Sequence, residues 1–115
     1  MSIVNKPWGG YSVIQGDDHI GFKVKRIIVN PNKKLSLQSH KHRSEHWVII
    51  KGQGKVQVGE DLLQLHKNQS VYIPKGVLHR IENNSNEILE FIETQIGDYL
   101  GEDDIIRYSD DYGRV

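Results

Sequence analysis

The sequence predicts an all-β protein, a sandwich or barrel of about eight to ten short strands. Three observations carry this expectation. Segments rich in β-branched and alternating apolar residues recur along the chain, separated by turn residues every six to twelve positions. No segment shows a convincing long helical period. The 115 residues suffice for one hydrophobic core, so residues 1–115 are expected to form one domain.

The strands are expected in this order. Residues 22–29, F-K-V-K-R-I-I-V, are β-branched and partly alternating, and Pro31-Asn32 turns the chain after them. Residues 34–40, K-L-S-L-Q-S-H, alternate cleanly. Leu35 and Leu37 therefore share one face, and Ser36, Gln38 and His40 the other. Residues 46–51 form an apolar strand ended by Gly52-Gln53-Gly54. Short strands follow at 55–58, 62–65, 70–73 and 78–82, and the longest alternating run covers 88–96. The acidic, tyrosine-rich tail fits a strand, a helical turn or an extended arm. Lys23 and Lys25 alternate with Phe22 and Val24, which reads as a solvated strand face.

Composition narrows the chemistry. Fifteen Lys and Arg balance fifteen Asp and Glu, so no net field favours nucleic acid or an anionic membrane. With no cysteine, a metal would have to be held by His, Gln, Asn or carboxylates. The N-terminus resembles no signal peptide, and no apolar run approaches eighteen residues, so a cytoplasmic protein is expected.

Gln38, His40, His42, Glu45 and His46 crowd into nine residues, and His79 stands behind a distant Pro-x-Gly turn. Oxygen and nitrogen donors clustered on one strand, with one more from a remote strand, are a means by which a small β-barrel holds a divalent ion. His19 and His66 sit in polar turns and read as surface residues. Trp8 and Trp47 read as core or interface, and His46 as packing or support.

The spacing resembles the cupin superfamily, a double-stranded β-helix or jelly roll. Its second motif, G-x5-P-x-G-x2-H-x3-N, matches Pro74, Gly76, His79 and Asn83, with Asn68 in place of the leading glycine. The first motif, G-x5-H-x-H-x(3,4)-E-x6-G, fits when Gln38-x-His40 stands as the pair before Glu45 and Gly52, with Asn32 leading. Asparagine tolerates the left-handed geometry that such glycines adopt. Reading His40-x-His42 as the pair leaves one residue too few before Glu45. The competing arrangement, in which His42 ligates and Gln38 is merely hydrogen-bonded inside the barrel, stays open.

The chain resembles the type II phosphomannose isomerase domain in P-W-G at 7–9, V-K-R-I at 24–27, H-R-S-E-H-W at 42–47, Y-I-P-K-G at 72–76, Y-L-G-E-D-D-I-I-R at 99–107 and D-Y-G-R at 111–114. That domain is often fused behind a mannose-1-phosphate guanylyltransferase domain and also occurs alone. The resemblance implies a metal-dependent isomerase interconverting mannose 6-phosphate and fructose 6-phosphate through a cis-enediol. The implied metal ligands are Gln38, His40, Glu45 and His79, holding Zn²⁺ or else Mn²⁺, Co²⁺ or Fe²⁺. His42 is expected as proton carrier with Arg80 as a catalytic candidate. Arg43, Lys75 and Arg107 are expected to bind the sugar phosphate. A homodimer is expected through an apolar strand face, Val48/Ile50 or Trp47/Ile49. The alternative function is a non-catalytic metal-binding cupin that binds a sugar or another small ligand.

Overall fold

The computed structural model describes residues 2–114. Eleven strands alternate with short turns, and no helix occurs among the described residues. The strands are β1 (Val4–Lys6), β2 (Gly9–Gly16), β3 (Phe22–Val29), β4 (Leu37–Ser39), β5 (Arg43–Lys51), β6 (Gln53–Val58), β7 (Asp61–His66), β8 (Ser70–Ile73), β9 (His79–Glu82), β10 (Leu89–Gly97) and β11 (Ile106–Ser109). They form a six-stranded antiparallel sheet, β1-β2-β3-β10-β5-β8, and a five-stranded one, β11-β4-β9-β6-β7. β3 and β8 fall on the segments expected from sequence. The run expected at 34–40 is strand only over β4, β5 starts earlier than its apolar stretch, and β1 and β2 add to the expected set.

The turns hold the expected geometry. Asn32 and Asn68 adopt φ of 59° and 75°, so both asparagines occupy the left-handed region. Gly52 and Gly76 stand at φ of 79° and 75° and close the loops after β5 and β8. Asn83 is fully buried. Its amide donates to the carbonyls of Val29, Asn30 and Glu87, and its oxygen accepts from the Ser85 N–H and hydroxyl. The motif's closing asparagine therefore ties the β9–β10 loop to the end of β3.

Across β3, β10 and β5 the inward face changes character along the barrel axis. One end is apolar, with Val29 opposite Leu89 and with Ile27, Phe91 and Ile49 in one row. The next rows carry Lys25, Glu93 and Trp47, then Lys23, Gln95 and Glu45. All six of these side chains are buried. The solvated-face reading of Lys23 and Lys25 is therefore corrected: the lysines point inward, and Phe22 is the exposed member of the alternation. Alternation assigns residues to the same face, but tertiary packing selects which face is buried. Trp8 and Trp47 belong to the core. Trp47 and Ile49 are interior, while Val48 and Ile50 lie on the outer face.

The candidate metal centre and its cavity

Three strands bring the site residues together. Arg107 on β11 pairs with Gln38 on β4, and Gln38 pairs with His79 on β9. Directly opposed residues project to the same side of a sheet, so this row faces the interior. The facing sheet contributes Glu45 from β5. His40, Glu45 and His79 are all buried, and one ligand atom from each lies within 4.8 Å of the others.

Each imidazole is held by a hydrogen bond at Nδ1. His40 Nδ1 meets the Asp104 carbonyl at 2.6 Å, and His79 Nδ1 meets the Val77 carbonyl at 2.9 Å. A carbonyl can only accept, so Nδ1 carries the proton in both rings and Nε2 is left as a ligand atom. Burial lowers the pKa of both histidines, taking His40 to about 4, which keeps the rings neutral. For Glu45, burial acts to raise the carboxyl. The Arg43 guanidinium foremost, together with His40, His79 and a hydrogen bond from Glu93, outweighs it and holds the group well below the usual carboxylate range. Trp47 Nε1 donates to Glu45 Oε1 at 2.8 Å and fixes the carboxylate from the other side. The Gln38 amide nitrogen donates to Ser36 Oγ at 3.0 Å, and Gln38 lines the same recess as Glu45 and His79.

The donor set fits a divalent ion: two neutral imidazole nitrogens, one carboxylate and a nearby amide. Arg43 already engages two of these donors. Its Nε donates to Glu45 Oε2 at 2.7 Å, and an Nη2 hydrogen reaches His40 Nε2 at 3.2 Å.

A cavity of about 90 Å³ adjoins this group. Among its lining residues are the cations Lys6, Lys25, Arg43, Arg107 and Arg114 and the acids Glu93 and Glu102. Lys25 pairs with Glu102 at 2.6 Å and lies over the Tyr11 ring at 4.1 Å. Glu93 is raised above the usual carboxylate range, by burial first and the Glu45 charge second. Among the described residues, Arg43 Nη1 and Arg107 Nε are buried without a hydrogen-bond partner.

The tail closes over one end of the barrel. The Asp104 carboxylate accepts the backbone N–H groups of Lys41 and His42 at 3.0 and 2.9 Å. The same residue's carbonyl orients His40, so the tail sets the position of a metal-ligand candidate. Nothing in the sequence marks Asp104, Lys25, Glu93 or Glu102 as site residues, because their roles depend on contacts between distant strands.

Other expectations shift. His42 is exposed, its ring beside Tyr99 outside the barrel, because Arg43 and Glu45 take the inward positions of β5. Gln38, not His42, is therefore the inward residue near the cluster. Arg80 points away from His79, and its guanidinium binds the backbone carbonyls of Leu35 and Ser109, bracing the chain before β4 and the end of β11. Lys75 is exposed on its turn, whose Gly76 N–H donates to the His40 carbonyl at 2.8 Å. Arg43 and Arg107 do line the cavity. His46 is exposed and packs at a tilt against Tyr72 with ring centroids 4.7 Å apart. His19 and His66 lie at the surface.

Two antiparallel sheets enclosing a histidine–carboxylate cluster define a cupin, a double-stranded β-helix. Solved structures share the fold: the Schizosaccharomyces pombe Cnp3 cupin domain superposes with a TM-score of 0.73 at 17% identity, over 77% of this chain and 64% of that one. KdgF from Halomonas sp. superposes with a TM-score of 0.76 at 8% identity, over 84% and 88% of the two chains. The profile of the family described as "Mannose-6-phosphate isomerase C-terminal" matches residues 1–110, and the chain belongs to that family.

Xanthan biosynthesis protein XanB of Xanthomonas campestris pv. campestris is 52% identical over 112 residues, 97% of this chain and 24% of that protein. Mannose-1-phosphate guanylyltransferase of Escherichia coli K12 is 46% identical over 97% of this chain and 23% of its own length. Alginate biosynthesis protein AlgA of Pseudomonas syringae pv. tomato is 48% identical over 96% and 23%. The chain thus spans about a quarter of the curated relatives it matches.

These relatives correct the expected function. They are named as guanylyltransferases and polysaccharide-biosynthesis proteins, and the shared quarter is a cupin region for which isomerase catalysis is not shown. A mannose-6-phosphate isomerase acting through this domain alone is not supported. In the structure the expected proton carrier His42 lies outside the barrel, and the Arg80 guanidinium donates to backbone carbonyls. What carries over is an enzyme-associated cupin domain.

Proposed function

We propose that this domain is a binding module. It holds one divalent ion, Zn²⁺ in the first instance, through His40, Glu45 and His79 with Gln38, and takes the phosphate of a small phosphorylated sugar in the adjoining cavity. The observation that carries the reading is the pair of buried guanidinium nitrogens, Arg43 Nη1 and Arg107 Nε, on residues lining one cavity. A buried donor without a partner is costly, and an anionic oxygen is the partner it favours. The size fits a head group. The cavity, about 90 Å³, has room for a phosphate beside Arg43 and Arg107, and the sugar would extend from it. The ion would supply a Lewis-acid charge beside that anion.

The test is titration calorimetry of the purified chain with mannose 6-phosphate and with mannose, together with elemental analysis for metal. The reading expects about one Zn²⁺ per chain, binding of the phosphorylated sugar, and loss of binding when the phosphate is removed. Equal binding of mannose and mannose 6-phosphate, or of neither, would overturn it.

A further inference from the structure

Arg43 holds a fixed positive charge where a metal's charge is called for. One guanidinium spans Glu45 Oε2 and His40 Nε2, two acceptors that are themselves 3.2 Å apart. Facing lone pairs at that distance repel unless a cation lies against them, and Arg43 supplies it. The residue is 6% exposed, so the contact belongs to the interior. An arginine cannot shed its proton, so it cannot leave the site by becoming neutral. Nor can a divalent ion share the same lone pairs with it, because like charges a few ångströms apart repel strongly in a dry interior.

The guanidinium has somewhere to go. Its Nη1 is buried and unpartnered among the described residues, and Arg43 lines the cavity that Glu93 and Glu102 also line. Rotation away from Glu45 would keep the charge among acidic groups and donors facing the space assigned above to the phosphate.

We propose that Arg43 is a resident cation in competition with the metal. Without metal it clamps Glu45 to His40; metal binds only as the guanidinium turns into the cavity. This rests on the metal reading of the proposed function. Metal affinity is then set by the cost of displacing Arg43, as well as by the ligands.

The experiment titrates Zn²⁺ into the full chain as wild type, Arg43→Met and Arg43→Lys, with folding checked by thermal melting. Arg43→Met, similar in length and uncharged, is expected to bind Zn²⁺ at least about ten-fold tighter than wild type, the scale of a modest coupling free energy. Arg43→Lys keeps the charge and is expected to stay near wild type. Equal or weaker binding by a folded Arg43→Met overturns the proposal.

If the methionine variant does not fold, the wild type decides by NMR. The Arg43 Nε–H signal is expected to shift and lose protection from solvent exchange as Zn²⁺ moves the His40 and His79 ring signals. An unmoved Arg43 signal while both rings respond overturns this inference and leaves the metal site standing. No Zn²⁺ binding by wild type or Arg43→Met overturns the metal site and this inference together.

Discussion

Gln38 and His79 stand directly opposite each other on β4 and β9, and Arg107 extends the same row from β11. A residue from each of three chain segments thereby meets the Glu45 side of the facing sheet. The row is held by ladder hydrogen bonds, so side chains can be changed without dismantling it.

His79→Ala removes one ligand atom and leaves the strand intact. Loss of even an outer-shell partner of a metal ligand typically weakens binding ~10–100-fold, and loss of the ligand itself should cost at least that much. Elemental analysis after dialysis against a weak chelator should find metal in the wild type and little in the variant. Unchanged metal content would remove His79 from the site.

Arg107→Ala should weaken mannose 6-phosphate binding with little change in melting temperature, because the Arg107 Nε has no partner to lose among the described residues. A hydrogen bond to a charged group contributes ~1.5–3 kcal/mol, which corresponds to roughly a ten- to hundred-fold rise in Kd. Calorimetry on both proteins checks this, and an unchanged Kd would place the anion elsewhere.

Asn83→Ala should be strongly destabilising. It strips the Val29, Asn30 and Glu87 carbonyls of one shared donor in a fully buried position. Each buried polar group left unsatisfied costs ~1–3 kcal/mol, so thermal melting should fall by on the order of ten degrees or more. A fall of only a degree or two would show that the loop re-forms its hydrogen bonds with water.

Asp110 provides a pH test at the tail. Arg114 donates to its carboxylate from the backbone and the side chain, and holds the pKa at about 2, below the ordinary 3.8. The folded form therefore binds this proton less readily than the unfolded form, so the stabilisation is present above about 3.8 and is lost as pH falls toward 2. Asp110→Asn should melt below wild type at pH 7, and the difference should shrink across that window. A constant difference from pH 5 to pH 2 would contradict the pairing.

The outcome for Lys23 and His42 shows where sequence reasoning stops. Period-two alternation correctly grouped Lys23 with Lys25, yet assigned the pair to solvent. It also left His42 eligible for the interior, where the strand instead turns Arg43 and Glu45 inward. A one-residue choice of phase reverses every side chain, and local composition does not settle the phase when both faces carry charge. Turn chemistry was legible, because positive φ at Asn32, Asn68, Gly52 and Gly76 is a local property of a residue and its neighbours.

By itself the sequence determined an all-β chain, the positions of most strands, and the spacing of Gln38, His40, Glu45 and His79 that marks the cupin family. Tertiary structure alone decided which of those side chains meet. It also brought in Lys25, Glu93, Glu102 and Asp104, and set Arg43 between Glu45 and His40. The reason is physical: spacing along one strand is covalent, whereas the pairing of β11, β4 and β9 and the facing of two sheets are settled by burial and hydrogen bonding among residues far apart in the chain.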